Sequence, residues 1–302
     1  MKKITLTIGI PAYNEAENIG ALLVSLNRQR LTAAVIEKII VYSDASSDNT
    51  LAVVNRVKNP ILQVISGKKR MGKANAMNMI MKHTTSDILV ILDADILIRD
   101  VRMIERLVEP IMKENADLAS ARVKEYWTKS KFEEILKISM LLKKDIFEAY
   151  KQGNNIYTCH GRGRAFSKKL YSVMRFTENI VAEDAYGYLY TVYSNFKYIF
   201  AKNANIHYRL PGTFKDHQKQ SVRFIQSYKQ LADEFGEEFI KRETRIPLHI
   251  VVPIVMKYCL KYPLTLFLYM SILIYMRIRS LFVNEISQKW VIAKSTKTAF
   301  IK

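Results

Sequence analysis

The sequence predicts an α/β chain built on a mostly parallel sheet, followed by an apolar, basic helical segment at the C-terminal end. Three observations carry this expectation. Strand-like apolar runs alternate with helix-like stretches through the first hundred residues, the pattern of βαβ units. Polar clusters at 11–15, 44–48 and 93–95 each follow a predicted strand, where open α/β sheets place their ligands. From 246 onward the composition shifts, with eight basic residues against one acidic residue, Glu285, among long apolar runs.

The elements follow in order. Ile4, Leu6, Ile8 and Ile10 alternate with Thr5, Thr7 and Gly9, giving a buried strand over 4–10. Pro11 ends that run too early for a secretory signal. Asn14 is expected to cap a helix from about 15 to 28, with Glu17 completing a capping box. A strand over 38–43 ends just before Asp44. A helix over about 48–57, a strand at 61–66, a helix near 73–84 and a strand at 87–92 continue the alternation, the last running into Asp93-Ala94-Asp95. From about 100 to 245 helices mix with short strands, without a repeat.

With 302 residues and 49% apolar content, the chain can bury one large core plus a small appendage. Its formal charge of +19 favours anionic partners such as nucleotide diphosphates, acidic lipid headgroups or nucleic acid. No nucleic-acid motif appears, so nucleic acid is not an expected partner. Cys159 and Cys259 fit neither a disulfide framework nor a metal knuckle; both suit core positions in a reducing compartment.

Four constellations carry chemistry. Asp93 and Asp95 at a strand end can share a hard cation, Mg²⁺ or Mn²⁺, that also binds diphosphate oxygens; the same triplet also suits a strand-terminating turn. Pro11-Ala12-Tyr13-Asn14-Glu15 would turn the chain and set Tyr13 beside a base or ribose, or simply start a helix. Asp44 can accept from a base N–H group or close an Asx-turn. In Glu183-Asp184, Asp184 is the candidate general base, while acidic residues in a first helical turn also answer the helix dipole. In Gln220-Ser221-Val222-Arg223-Phe224, Arg223 can stabilise a departing diphosphate and Phe224 can wall a sugar face, although an ordinary amphipathic helix gives the same pattern.

In their order and spacing over roughly residues 4–224, these motifs resemble glycosyltransferase family 2, whose members have the GT-A fold. The resemblance implies that Pro11, Tyr13, Asn14, Glu15 and Asp44 bind the nucleotide. It implies that Gly72 and Lys73 lie along the sugar donor, and that Asp93 and Asp95 are the donor and metal residues. Asp184 matches the base of the family's Glu-Asp pair, with Glu183 on the acceptor side. Gln220, Arg223 and Phe224 resemble the Q-x-x-R-W motif of membrane-associated polysaccharide and glycolipid synthases, with Phe224 in place of tryptophan. His160 and Gly161 fall at an acceptor-side turn, and Arg162 and Arg164 beside them suit a phosphate-bearing acceptor.

The resemblance thus implies a catalytic domain over 1–245, while 246–302 matches no motif and its apolar, basic composition points to a membrane-associated tail. It implies inverting transfer from a nucleotide-diphosphate sugar to a glycan or lipid-linked acceptor, at the cytoplasmic face of the membrane. The uncharged run 262–276 would span only about 22 Å as a helix, so contact with an anionic membrane surface is favoured over a span. A helical pair packed on the catalytic domain is the alternative. The rival functions are a polyprenyl-phosphate sugar synthase and a non-catalytic basic binder of membranes or nucleic acid.

Overall fold

The computed structural model describes residues 3–281 apart from 127, 129 and 179, with the side chains of 219–226, 280 and 281 also outside the described set. Its first half is the βαβ alternation expected from the sequence. β1 (Ile4–Ala12), α1 (Ile19–Asn27), β2 (Ala34–Ser43), α2 (Thr50–Asn55), β3 (Leu62–Ser66), α3 (Lys73–Lys82) and β4 (Ile88–Leu92) follow one another. Then come β5 (Ile96–Leu97), α4 (Met103–Lys113), β6 (Leu118–Glu125), α5 (Lys131–Ala149), β7 (Gly163–Ser167), α6 (Lys168–Val173), α7 (Glu183–Tyr193) and β8 (Tyr198–Tyr208). Four helices close the described chain: α8 (Phe214–Phe235), α9 (Glu237–Thr244), α10 (Leu248–Lys261) and α11 (Pro263–Leu281).

The eight strands form one sheet in the order β3-β2-β1-β4-β7-β6-β8-β5. β3, β2, β1 and β4 run parallel, as does β6 with β8, whereas β7 is antiparallel to both β4 and β6. β4 is buried along its whole length, which explains its unbroken apolar sequence: helices cover both faces of the sheet. Side chains alternate between those faces. Ile8, Val90 and Leu92 join a core with α1 and α4, while Ile40, Leu89 and Ile91 join a second core with α3 and α7.

Two local expectations are corrected. Asn14 does not cap α1. It adopts φ 52°, accepts from the Ser47 backbone N–H at 2.8 Å, and so ties the turn after β1 to the turn after β2. A turn at 15–18 intervenes, closed by the Glu15 carbonyl, and the helix starts at Ile19. Asparagine tolerates this left-handed geometry better than most residues. Nor does Pro11 end the strand: Pro11 and Ala12 stay paired with Tyr42 and Ser43 of β2. The β4 ladder has already stopped at Gly9 and Ile91, so the missing proline N–H breaks no bond on that side.

The C-terminal helices pack on the body of the protein. α10 and α11 lie against α5, and α11 also touches α8. Tyr258 donates to Asp145 of α5 at 3.0 Å, Lys143 of α5 lies over the Tyr269 ring, and Tyr275 meets Phe214 of α8. Cys159 is buried as expected, but Cys259 on α10 is exposed. Among the described residues no helix is long and apolar enough to cross a membrane.

Candidate active site

The carboxyl ends of the parallel strands β1, β2 and β4 fall on one edge of the sheet, so the polar residues that follow them come to one side of it. At the first end, Asn14 is joined to Ser46 and Ser47, and the Glu15 N–H donates to Thr50 at 2.8 Å. Tyr13 lies under Arg70, whose guanidinium carbon is 3.8 Å from the ring centroid. Such stacking holds the ring in place. Arg70 was not singled out from the sequence, although it immediately precedes the Met71-Gly72-Lys73 segment.

Asp44 is buried, and its two carboxylate oxygens accept the backbone N–H groups of Met71 and Gly72 at 2.8 and 2.7 Å. It therefore fixes the loop that leads into α3. Gly72 sits there at φ 93°, a left-handed conformation that side-chain-bearing residues rarely adopt.

The end of β4 carries a buried three-way ion bridge. Lys73, the first residue of α3, places Nζ 2.6 Å from Asp93 Oδ1 and 2.7 Å from Glu183 Oε1. Burial pulls the Lys73 pKa down, but the charges of Asp93 and Glu183 outweigh it and hold the ammonium above its ordinary value. Lys73 thus links the end of β4 to the start of α7. Gly161 closes over this bridge. A Cβ there would lie 3.2 Å from both Glu183 Oε1 and Lys73 Nζ, and 3.4 Å from Asp184 Cβ.

Asp184 is half-buried beside this bridge, its Oδ1 accepting the Ala185 N–H at 2.9 Å. Burial, reinforced by the charge of Glu183, raises its pKa against the opposing influence of Arg164. Glu183 is buried as well, so it does more than decorate a helix N-terminus.

Arg164 corrects an expectation. It is fully buried, and its Nη1 donates to the Glu183 carbonyl at 3.0 Å, with Phe166 and Phe176 near its guanidinium. It braces the first turn of α7 and cannot reach an acceptor. Arg162 lies over the Tyr208 ring, and its carbonyl accepts the Asp93 N–H at 3.0 Å. Arg164 reads as a surface residue because arginines are seldom fully buried; only its place within a short buried strand signals otherwise.

His160 adjoins a cavity of about 30 Å³ shared with Arg122, Lys143, Phe147, Thr158 and Phe200. Burial, aided by Arg162, lowers the His160 pKa to about 3, so the imidazole is neutral near pH 7. Gln220, Arg223 and Phe224 lie on α8, and their side chains fall outside the described residues.

Asp93 and Asp95 flank Ala94 at the end of β4, Asp93 buried and Asp95 half-buried. Among the described residues, no group of three His, Cys, Asp or Glu side chains is assembled around a metal position. Two carboxylate donors nevertheless suit a hard cation that keeps water and phosphate oxygens in its remaining positions.

Comparison with known proteins gives this geometry its context. Over 108 residues the chain is 28% identical to the 4,4'-diaponeurosporenoate glycosyltransferase of Staphylococcus haemolyticus, covering 35% of this chain and 28% of that one. Over 106 residues it is 29% identical to the dolichyl-phosphate beta-glucosyltransferase ALG5C of Trichomonas vaginalis, covering 31% and 30%. The chain thus spans less than a third of either relative's length. In three dimensions it resembles the mannosyltransferase PcManGT of Pyrobaculum calidifontis, solved with GDP-Man and Mn²⁺, at a TM-score of 0.62 and 18% identity over 95% of this chain and 78% of that one. The fold is accordingly the GT-A glycosyltransferase fold. Residues 7–174, more than half of the sequence, match the profile of "Glycosyl transferase family 2", and the chain belongs to that family.

Proposed function

We infer that the protein is an inverting glycosyltransferase that moves a sugar from a nucleotide-diphosphate donor to a hydroxyl of a glycan or glycolipid acceptor. The observation that carries this reading is the Lys73 bridge, which brings Asp93 and the Glu183-Asp184 pair together. A donor-side carboxylate and a base carboxylate must lie close together for a single displacement, because the hydroxyl attacks the anomeric carbon as the diphosphate departs.

Each residue has a part in that reading. Tyr13, Asn14, Glu15 and Asp44 shape the nucleotide side, and Gly72 and Lys73 begin the helix beside the donor. Asp93 and Asp95 would hold a divalent cation. When bound, that cation offsets negative charge on the leaving diphosphate. Asp184 takes the acceptor proton: burial and the neighbouring charge of Glu183 raise its pKa, which makes its carboxylate a stronger base than an exposed aspartate. Glu183, paired with Lys73, precedes it in the first turn of α7. Gly161, lacking a side chain, lets its backbone pack directly over Lys73, Glu183 and Asp184, and neutral His160 can hydrogen-bond a hydroxyl without adding charge.

A second reading is a polyprenyl-phosphate sugar synthase, whose acceptor is already an anion. The similarity to a dolichyl-phosphate glucosyltransferase favours it. One experiment separates the two. With the preferred donor, Asp184→Asn is assayed against a membrane glycan fraction and a polyprenyl phosphate, and the product's anomeric configuration is read by NMR. Inverted product on a hydroxyl, lost in the variant, supports the first reading; transfer to lipid phosphate that survives the substitution overturns it.

A further inference from the structure

α10 and α11 each carry an apolar stripe that the protein itself does not cover. On α10, Leu248, Val252, Met256 and Leu260 recur every fourth residue and are exposed, Leu248 to 74% and Leu260 to 84%. On α11, Leu264, Phe267, Ile274 and Ile278 follow at three-, four- and seven-residue spacings and are likewise exposed, Leu264 to 70% and Phe267 to 69%. Such spacing places each set along one side of its helix. The opposite sides are occupied: Tyr258 of α10 and Leu266, Tyr269 and Met276 of α11 are buried, the pair packing on α5 and α8.

Charge selects the occupant. Residues 248–281 contain no Asp or Glu, whereas Lys257, Lys261 and Arg279 are exposed there. Apolar stripes bordered by cations suit the interface of an anionic bilayer, where the side chains enter the acyl boundary and the cations meet headgroups. A protein partner burying this face would need its own apolar surface and gain little from the positive border, in which Asp145 of α5 pairs with Lys257 at 3.7 Å.

We propose that the α10–α11 pair docks flat on an anionic lipid bilayer through these stripes. Neither helix crosses the membrane; both lie in its surface. Docking also brings α5 toward the lipid. Lys143 of α5 contacts Tyr269 of α11 and lines the cavity at His160, so an acceptor held in the bilayer would approach the site along α5. That last step rests on the proposed function, while docking stands without it.

The test needs no sugar donor. Cys259 is exposed on α10 and Cys159 is buried, so a thiol-reactive, environment-sensitive fluorophore labels the full-length protein at α10 alone. Mixed phosphatidylglycerol and phosphatidylcholine vesicles should shift its emission to the blue and co-sediment the protein. Pure phosphatidylcholine should do so far less, and added salt should weaken the effect. Leu260→Glu with Phe267→Glu should lower partitioning by roughly tenfold or more, with an unchanged circular dichroism spectrum. Lys261→Glu with Arg279→Glu should remove the preference for anionic vesicles. An unshifted label, equal partitioning of the Leu260/Phe267 variant, or a dimer in sedimentation velocity that this variant dissolves while vesicles do not bind, would overturn the proposal.

Discussion

The Lys73 ammonium lies 2.7 Å from the Glu183 carboxylate while also contacting Asp93, so one side chain pins the start of α7 to the end of β4. All three groups are buried. In such a place an ion pair adds little net stability but leaves a large cost if one partner is removed.

Lys73→Met is therefore expected to destabilise the protein by about 3–5 kcal/mol, because two buried carboxylates lose their counter-charge. Urea unfolding measures this, and pairing the substitution with Glu183→Gln should recover part of the loss. The pH dependence has a definite sign. Since the folded pKa of Lys73 is raised, its contribution is complete below the ordinary lysine value and disappears as pH climbs through the folded one. A Lys73→Met protein should lack that alkaline loss.

Activity should require Asp184 in its ionised form. Its pKa is raised by burial and by Glu183, so the acid limb of kcat/KM should lie above the usual aspartate range. Glu183→Gln removes a neighbouring negative charge and should move the limb to lower pH. Asp184→Asn should cut turnover by roughly 10²–10⁴-fold without lowering the urea midpoint, since the neutral amide avoids the cost of burying a carboxylate.

For the metal, Asp95→Asn should weaken Mg²⁺ or Mn²⁺ activation and lower kcat by about two orders of magnitude, given the several kcal/mol a cation contributes to transition-state charge. Titrating the metal against initial rate checks this. An unchanged metal requirement in Asp95→Asn would remove that residue from cation binding.

Two glycines should respond differently. Gly161→Ala sets a Cβ 3.2 Å from Lys73 Nζ and Glu183 Oε1, shifting the bridge by tenths of an ångström, so turnover should fall more than stability. Gly187→Ala lies inside α7, where alanine gains roughly 1 kcal/mol of helix propensity. The new Cβ would however meet buried Arg164 Nη1 at 2.7 Å. Overpacking of about 1–3 kcal/mol together with disturbance of the Arg164–Glu183 hydrogen bond should outweigh that gain. A net loss of about 1–2 kcal/mol in thermal or urea unfolding is expected.

The strands of the first half were readable because their alternation and their polar ends are local properties of the chain. So was the pairing of a polar cluster with each strand end. What local patterns do not contain is which side chains meet across the sheet. Asn14 looked like a helix cap because Glu17 stands at capping-box distance, yet the Ser46-Ser47 turn, distant in sequence, claims its side chain. Lys73 looked like a donor-side residue, and nothing near it announced the carboxylates of Asp93 and Glu183. Arg164 ends a run rich in Gly and Arg, where solvent exposure is the natural expectation, while the fold sets it in β7 with α7 and two phenylalanines around it. The tail's apolar, basic composition was plain from the sequence, whereas the division of α11 into a packed side and an open side needs α5 and α8 in place.

The most direct test of the central claim is release of free nucleoside diphosphate across a panel of nucleotide sugars, with Mg²⁺, with Mn²⁺ and with chelator, in the presence of membrane lipid extract. Metal-dependent release from a preferred donor, abolished by chelator and by Asp184→Asn, is the predicted result. No release from any donor, with donor binding also absent, would contradict the account.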